Sequence, residues 1–170
     1  MMNKNIVLFG FMGCGKSTVG TELARKTGRK LVDTDTLIEK REGMSVSEIF
    51  SKHGEEYFRN REHEICVELA GKERLIISAG GGALTFRRNI EALREGCKLV
   101  LLDVPPGVIY ERLKYDTTRP LLQCDDKLGA IRELYARREA IYREAADYVV
   151  NGDRPRGFVA LDVMKAVGIL

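Results

Sequence analysis

Gly10-Phe11-Met12-Gly13-Cys14-Gly15-Lys16-Ser17 fits the pattern G-x-x-x-x-G-K-[ST], and the residues on either side of it decide the fold. Ile6-Val7-Leu8-Phe9 before it is a short apolar run that reads as a strand, and Ser17 to Thr27 after it reads as a helix. A glycine-rich turn between strand and helix can curl so that successive N–H groups point inward, where the helix N-terminus adds partial positive charge. Lys16 is then placed to reach the β- and γ-phosphates of a nucleotide, and the Ser17 hydroxyl to ligate Mg²⁺.

Outward from this stretch, strand-like runs alternate with helical ones. Strands are expected at Ile6–Phe9, Lys30–Asp33, Leu75–Ala79, Lys98–Asp103 and Tyr148–Asn151. They are short and mostly apolar on both faces, as in strands covered by helices on each side. Helices are expected around 17–27, 35–42, 46–53, 55–71, 86–95, 106–114, 127–145 and 156–167. The alternation argues an α/β fold with a parallel sheet in one domain. Two regions depart from it. Residues 34–71 hold helical pieces with no strand between them, an insertion sized for a substrate-binding lobe. Residues 115–126 form a polar segment with Arg119 near its middle, read as a lid over the nucleotide.

The 170 residues carry a net charge of +3, with 44% hydrophobic and 31% charged residues. That charge is too mild to argue for nucleic acid, and suits basic groups gathered around anionic ligands. No apolar run approaches the ~18 residues of a membrane span. The first strand follows the N-terminus so closely that no signal peptide is expected, which points to the cytoplasm. Cys14, Cys66, Cys97 and Cys124 show no metal-ligand spacing and are expected as reduced thiols. Oxidation or alkylation of Cys14, inside the phosphate loop, would cost nucleotide binding, which makes it a liability and not a catalytic group.

Carboxylates and glycines at strand ends carry the remaining chemistry. Asp33 and Asp35 follow the second strand, where α/β sheets bind ligands beyond the strands' carboxyl ends. One can hold Mg²⁺ while the other accepts a hydrogen bond from a substrate hydroxyl; an aspartate here can equally cap the helix that starts near residue 36. Asp103 also ends a strand, and pattern alone does not separate it from Asp33 as the metal carboxylate. Gly80-Gly81-Gly82 follows the third strand and would let a ligand approach bare backbone.

In order, these residues resemble shikimate kinase along nearly the whole chain. The likeness runs through Gly10–Gly20, Asp33-Thr34-Asp35, Gly43-Met44-Ser45 with Ile49-Phe50, and Gly54-Glu55-Glu56-Tyr57-Phe58-Arg59-Asn60-Arg61-Glu62. Gly80–Gly82, Leu102–Pro105, Arg119–Leu122 and Arg138–Tyr142 complete it, while Ala79 stands where a small hydroxyl residue is more usual. The resemblance implies ATP-dependent phosphorylation of the 3-hydroxyl of shikimate by a monomer with a nucleoside-monophosphate-kinase-like fold, sheet order 2-3-1-4-5. It implies nucleotide contacts from Gly13, Cys14, Gly15, Lys16, Ser17 and Thr18, with adenine between Arg112 and the loop around Pro155. It implies Mg²⁺ at Ser17 and Asp33, catalysis by Lys16, Asp35 and Arg119, and shikimate held by Asp35, Arg59, Gly80, Gly81, Gly82 and Arg138. A gluconate or nucleotide kinase is the nearest rival. A GTP-dependent switch is a further one, but no N-K-x-D follows a later strand.

Overall fold

The first strand, β1 (Asn5–Phe9), is buried along its whole length and lies at the centre of a five-stranded sheet. In the computed structural model, which describes residues 3–170, the order is β2 (Lys30–Asp33), β3 (Leu75–Ser78), β1, β4 (Cys97–Asp103) and β5 (Tyr148–Asn151). Every neighbouring pair is parallel, with Val7 level with Ile77 on one side and Leu99 on the other. This is the order implied by the resemblance. Strands β3 and β4, buried on both faces, are the apolar runs that the sequence showed.

The chain leaves β1 in one direction along the sheet, to β2, and thereafter steps the other way through β3, β4 and β5. Right-handed crossovers then require α1 (Lys16–Thr27) on one face and the later crossover helices on the other. The latter are α2 (Thr34–Glu42), α3 (Val46–Ala70), α4 (Arg87–Arg94), α5 (Pro106–Leu113) and α6 (Lys127–Ala145). The last helix, α7 (Arg156–Ala166), packs on α1. The direction reverses beside β1, so the carboxyl ends of β1 and β3 open a crevice of the kind that binds ligands.

Element bounds follow the sequence reading closely, with one instructive difference. The helices expected at 46–53 and 55–71 form one run, α3, kinked at Gly54, whose φ of 84° and ψ of 172° lie outside the helical range. Ser45 and Glu48 cap its start reciprocally, as a capping box. Buried Asn5 joins its far end to the sheet. The Asn5 amide donates to the Leu69 and Lys72 carbonyls, and its oxygen accepts from Leu75 N–H. The segment read as a lid holds a single 3-10 turn, Pro120–Leu122, with Leu122 buried. Among the described residues, no helix is long and apolar enough to cross a membrane.

Candidate active site

A cleft of about 330 Å³ lies at the carboxyl ends of β1, β2 and β3. Its phosphate-loop wall is Met12, Gly13, Gly15, Lys16, Ser17 and Thr18; the opposite wall is Asp33, Asp35 and Ser78 to Gly81; Arg119 reaches it from the segment 115–126. The loop takes this shape because its glycines permit it. Gly10, Gly13 and Gly15 have φ of 147°, 77° and 97°, and a Cβ on Gly10 would stand 2.7 Å from the Leu102 carbonyl oxygen. Lys16 Nζ donates to the carbonyls of Gly10 (2.9 Å) and Phe11 (3.2 Å), arching over the loop. The Cys14 side chain is buried beneath, with Sγ 3.6 Å from Lys16 Nζ. At 1% exposure this thiol reacts only if the loop opens.

The two aspartates at the end of β2 and the start of α2 differ in their surroundings. Asp33 is the N-cap of α2, accepting from Thr36 N–H at 3.0 Å through Oδ1, so the helix-capping reading holds for one of its oxygens. Asp33 also lines the cleft with Ser17. Asp35, in the first turn of α2, has its pKa raised by burial and by the Asp33 charge, against the opposing pull of Lys16 and Arg59. Asp103 lies elsewhere. Its Oδ1 accepts from the Tyr135 hydroxyl at 2.7 Å and its Oδ2 from Arg143 Nη2 at 2.7 Å, away from the phosphate cleft. Unlike Asp33, Asp103 has both oxygens taken by α6, which covers the end of β4.

The glycine triplet gathers the remaining residues. A Cβ on Gly80 would stand 2.6 Å from Asp35 Oδ1, and one on Gly82 2.8 Å from Arg59 Nη2. Between them, the Gly81 carbonyl accepts from Arg138 Nη1 at 3.4 Å and from the Tyr142 hydroxyl. Arg59 and Arg138 therefore flank the triplet just behind the cleft wall. Arg59 is held hard. Its Nη1 donates to both oxygens of Glu62 (3.0 and 3.2 Å), and its guanidinium lies 4.9 to 6.0 Å from the rings of Phe86, Phe58 and Phe50. Its Nε has an ion-pair partner in Glu55 at 3.5 Å but no hydrogen bond. Glu62 is fully buried, and burial pushes its pKa up to about 7 in spite of Arg59. Thr34, also buried, accepts Gly80 N–H at 2.9 Å.

Sequence reasoning assigned no role to Thr34, Glu62, Tyr142 or the three phenylalanines. The i, i+3 spacing of Arg59 and Glu62 on one helix was the available signal. On the nucleotide side, Arg112 donates to the carbonyls of Gly13 (3.0 Å) and Gly152 (3.2 Å), joining the phosphate loop to the loop after β5. Exposed Pro155 caps α7 at the end of that loop.

A phosphate loop facing a cleft-lining carboxylate, with two arginines behind it, on a 2-3-1-4-5 parallel sheet, defines a small-molecule kinase of the phosphate-loop class. Residues 12–167 match the family model for shikimate kinase. Shikimate kinase from Caldanaerobacter subterraneus subsp. tengcongensis is 43% identical over 164 residues, 96% of this chain and 95% of that one. The solved shikimate kinase from Acinetobacter baumannii in complex with shikimate superposes with a TM-score of 0.90 at 36% identity, covering 96% of this chain and 92% of the other. That from Aquifex aeolicus gives 0.84 at 37% identity over 96% of each chain. A gluconokinase from Sinorhizobium meliloti, at 18% identity and a TM-score of 0.60, shares the fold alone. The chain belongs to the shikimate kinase family. It phosphorylates a hydroxyl of shikimate at the expense of ATP, a step in aromatic amino acid biosynthesis.

Proposed function

We propose that the acceptor is the 3-hydroxyl of shikimate and that the residues around the glycine triplet select it. The observation that carries this reading is the convergence of Asp35, Arg138 and Arg59 on Gly80, Gly81 and Gly82 in turn. Arg59 and Arg138 clamp the shikimate carboxylate, the unbonded Arg59 Nε being a donor still to be satisfied. Asp35 binds the ring hydroxyls, orients the attacking one and takes its proton; a raised pKa suits that task. Backbone N–H groups from Gly13 to Thr18 cradle the phosphates and Lys16 neutralises charge on them. Arg119 completes this from the lid, and lid closure keeps water from the γ-phosphoryl group. The adenine lies between Arg112 and the loop ending at Pro155.

The donor set suits Mg²⁺. Ser17 Oγ and the second Asp33 oxygen are hard oxygen donors on one cleft, and Mg²⁺ ordinarily keeps several waters and phosphate oxygens besides one or two protein groups. When bound, it offsets negative charge on the phosphates. In this reading the chain is one kinase domain that works as a cytoplasmic monomer, with 34–71 as the acceptor lobe and 115–126 as the lid. A coupled ADP-release assay offered shikimate, gluconate and nucleoside monophosphates tests the acceptor. Turnover with shikimate alone is expected; comparable turnover with gluconate would overturn the carboxylate-and-ring selection. Phosphorus NMR of the product then identifies the hydroxyl.

A further inference from the structure

We propose that Asp103 is a positioning residue for shikimate: it fixes the roll and axial setting of α6, and through them the place of Arg138. This rests on the reading of Arg138 as a carboxylate clamp. Helix α6 carries two adjacent rows of side chains. Tyr135, Glu139 and Arg143 form one row at four-residue spacing, and Arg138 with Tyr142 the next. The second row meets the Gly81 carbonyl. The first is gripped at both ends by one carboxylate, Asp103 accepting from the Tyr135 hydroxyl and from Arg143, each at 2.7 Å. Tyr135 and Arg143 are eight residues apart, about 12 Å of helix axis, so a single group on β4 spans two turns of α6 and brackets Arg138.

Two features make this grip firm. The Tyr135 pKa is pushed up to about 12, by burial first and then by its bond to Asp103, so its hydroxyl remains a donor. Phe11, inside the phosphate loop, lies against the Tyr135 ring at 6.0 Å and under the Arg138 guanidinium at 6.0 Å. A roll of α6 would therefore displace Arg138 from the triplet without breaking the backbone of the loop. Helix α6 also follows the lid directly, so lid movement pulls on its first turn while Asp103 holds the turns beyond.

The test is Asp103→Asn, with Tyr135→Phe as a milder variant, assayed by steady-state kinetics with each substrate varied. The shikimate KM should rise about tenfold, the scale of one charge-assisted hydrogen bond, while ATP KM and Mg²⁺ dependence stay near wild type. Combined with Arg138→Ala, Asp103→Asn should add little further loss, because it acts through that arginine. Fully additive losses, an unchanged shikimate KM, or a parallel rise in both KM values would overturn the proposal. Arg138→Ala alone checks the clamp separately: an unchanged shikimate KM there refutes the clamp and the proposal with it, whereas a raised KM there beside an unchanged one in Asp103→Asn overturns the proposal alone. A variant that fails to fold is replaced by Tyr135→Phe, which retains the Asp103–Arg143 bond.

Discussion

Substituting Gly82 by alanine isolates the acceptor clamp from everything else in the cleft. The backbone at Gly82, φ −98° and ψ −9°, is open to any residue, so the change introduces no conformational strain of its own. What it introduces is one methyl group, 2.8 Å from Arg59 Nη2, 2.9 Å from Nη1 and 3.2 Å from Cζ. Ordinary contact begins at 3.4 Å, so the guanidinium must retreat by 3.4 − 2.8 = 0.6 Å. An exposed arginine would do so freely. Arg59 is instead held by the buried Glu62 carboxylate on Nη1 and by three phenylalanine rings. Retreat therefore spoils either the Glu62 bonds or the face offered to shikimate.

Losing one charge-assisted hydrogen bond to the substrate weakens binding by about 1.5–3 kcal/mol, or about 10- to 150-fold in affinity. Isothermal titration of shikimate and steady-state kinetics at saturating ATP read this directly. ATP KM should change by no more than about twofold, because the phosphate loop is untouched. Shikimate affinity within about twofold of wild type would refute the reasoning, since Arg59 would then be free to yield or absent from the clamp. A parallel rise in both KM values would show instead that the triplet had moved as a whole.

Arg119→Ala should lower kcat by about 10³-fold while leaving shikimate affinity near wild type, by the logic of arginines that meet transferring phosphoryl groups; single-turnover kinetics checks it. Asp35→Asn, measured with shikimate saturating, should cost about 10²- to 10⁴-fold in kcat, and unchanged turnover would place proton removal elsewhere. Glu62 titrates at about 7 in the folded chain against 4.5 for a free glutamate, so the folded state holds more protons between those values. Stability should therefore fall as pH rises from about 4.5 to about 7, and Glu62→Gln should flatten the decline in a Tm-against-pH series.

The phosphate loop and the alternation of apolar runs were enough to place the sheet, because both are local signals: a strand, a glycine turn and a helix lie within about twenty residues. The acceptor half was legible only through its resemblance to a family. Arg59, Arg138 and Gly82 lie on α3, on α6 and beyond β3, and no spacing in the sequence brings them together. Phe58 belongs to the core and Phe50 packs against it, yet both rings, with that of Phe86, face a guanidinium. Asp33 and Asp103 were indistinguishable as strand-end carboxylates. What separates them is neighbourhood: Asp33 gives one oxygen to its own helix and lines the cleft, whereas Asp103 gives both to a helix that begins more than twenty residues later.

The triplet itself explains why such distant residues form one subsite. Each of its residues is tied to a different element: Gly80 to Thr34 and Asp35 of α2, Gly81 to Arg138 and Tyr142 of α6, Gly82 to Arg59 of α3. Consecutive α-carbons are about 3.8 Å apart, so the outer two lie at most ~7.6 Å from one another. That span suits one small ring with a hydroxyl at one end and a carboxylate at the other. Side chains at the two outer glycines would press on Asp35 and Arg59, so bare backbone is needed at Gly80 and Gly82 for these groups to come so close. If the triplet holds the acceptor as proposed, the spacing of its contacts is set by peptide geometry, and the helices supply the charges.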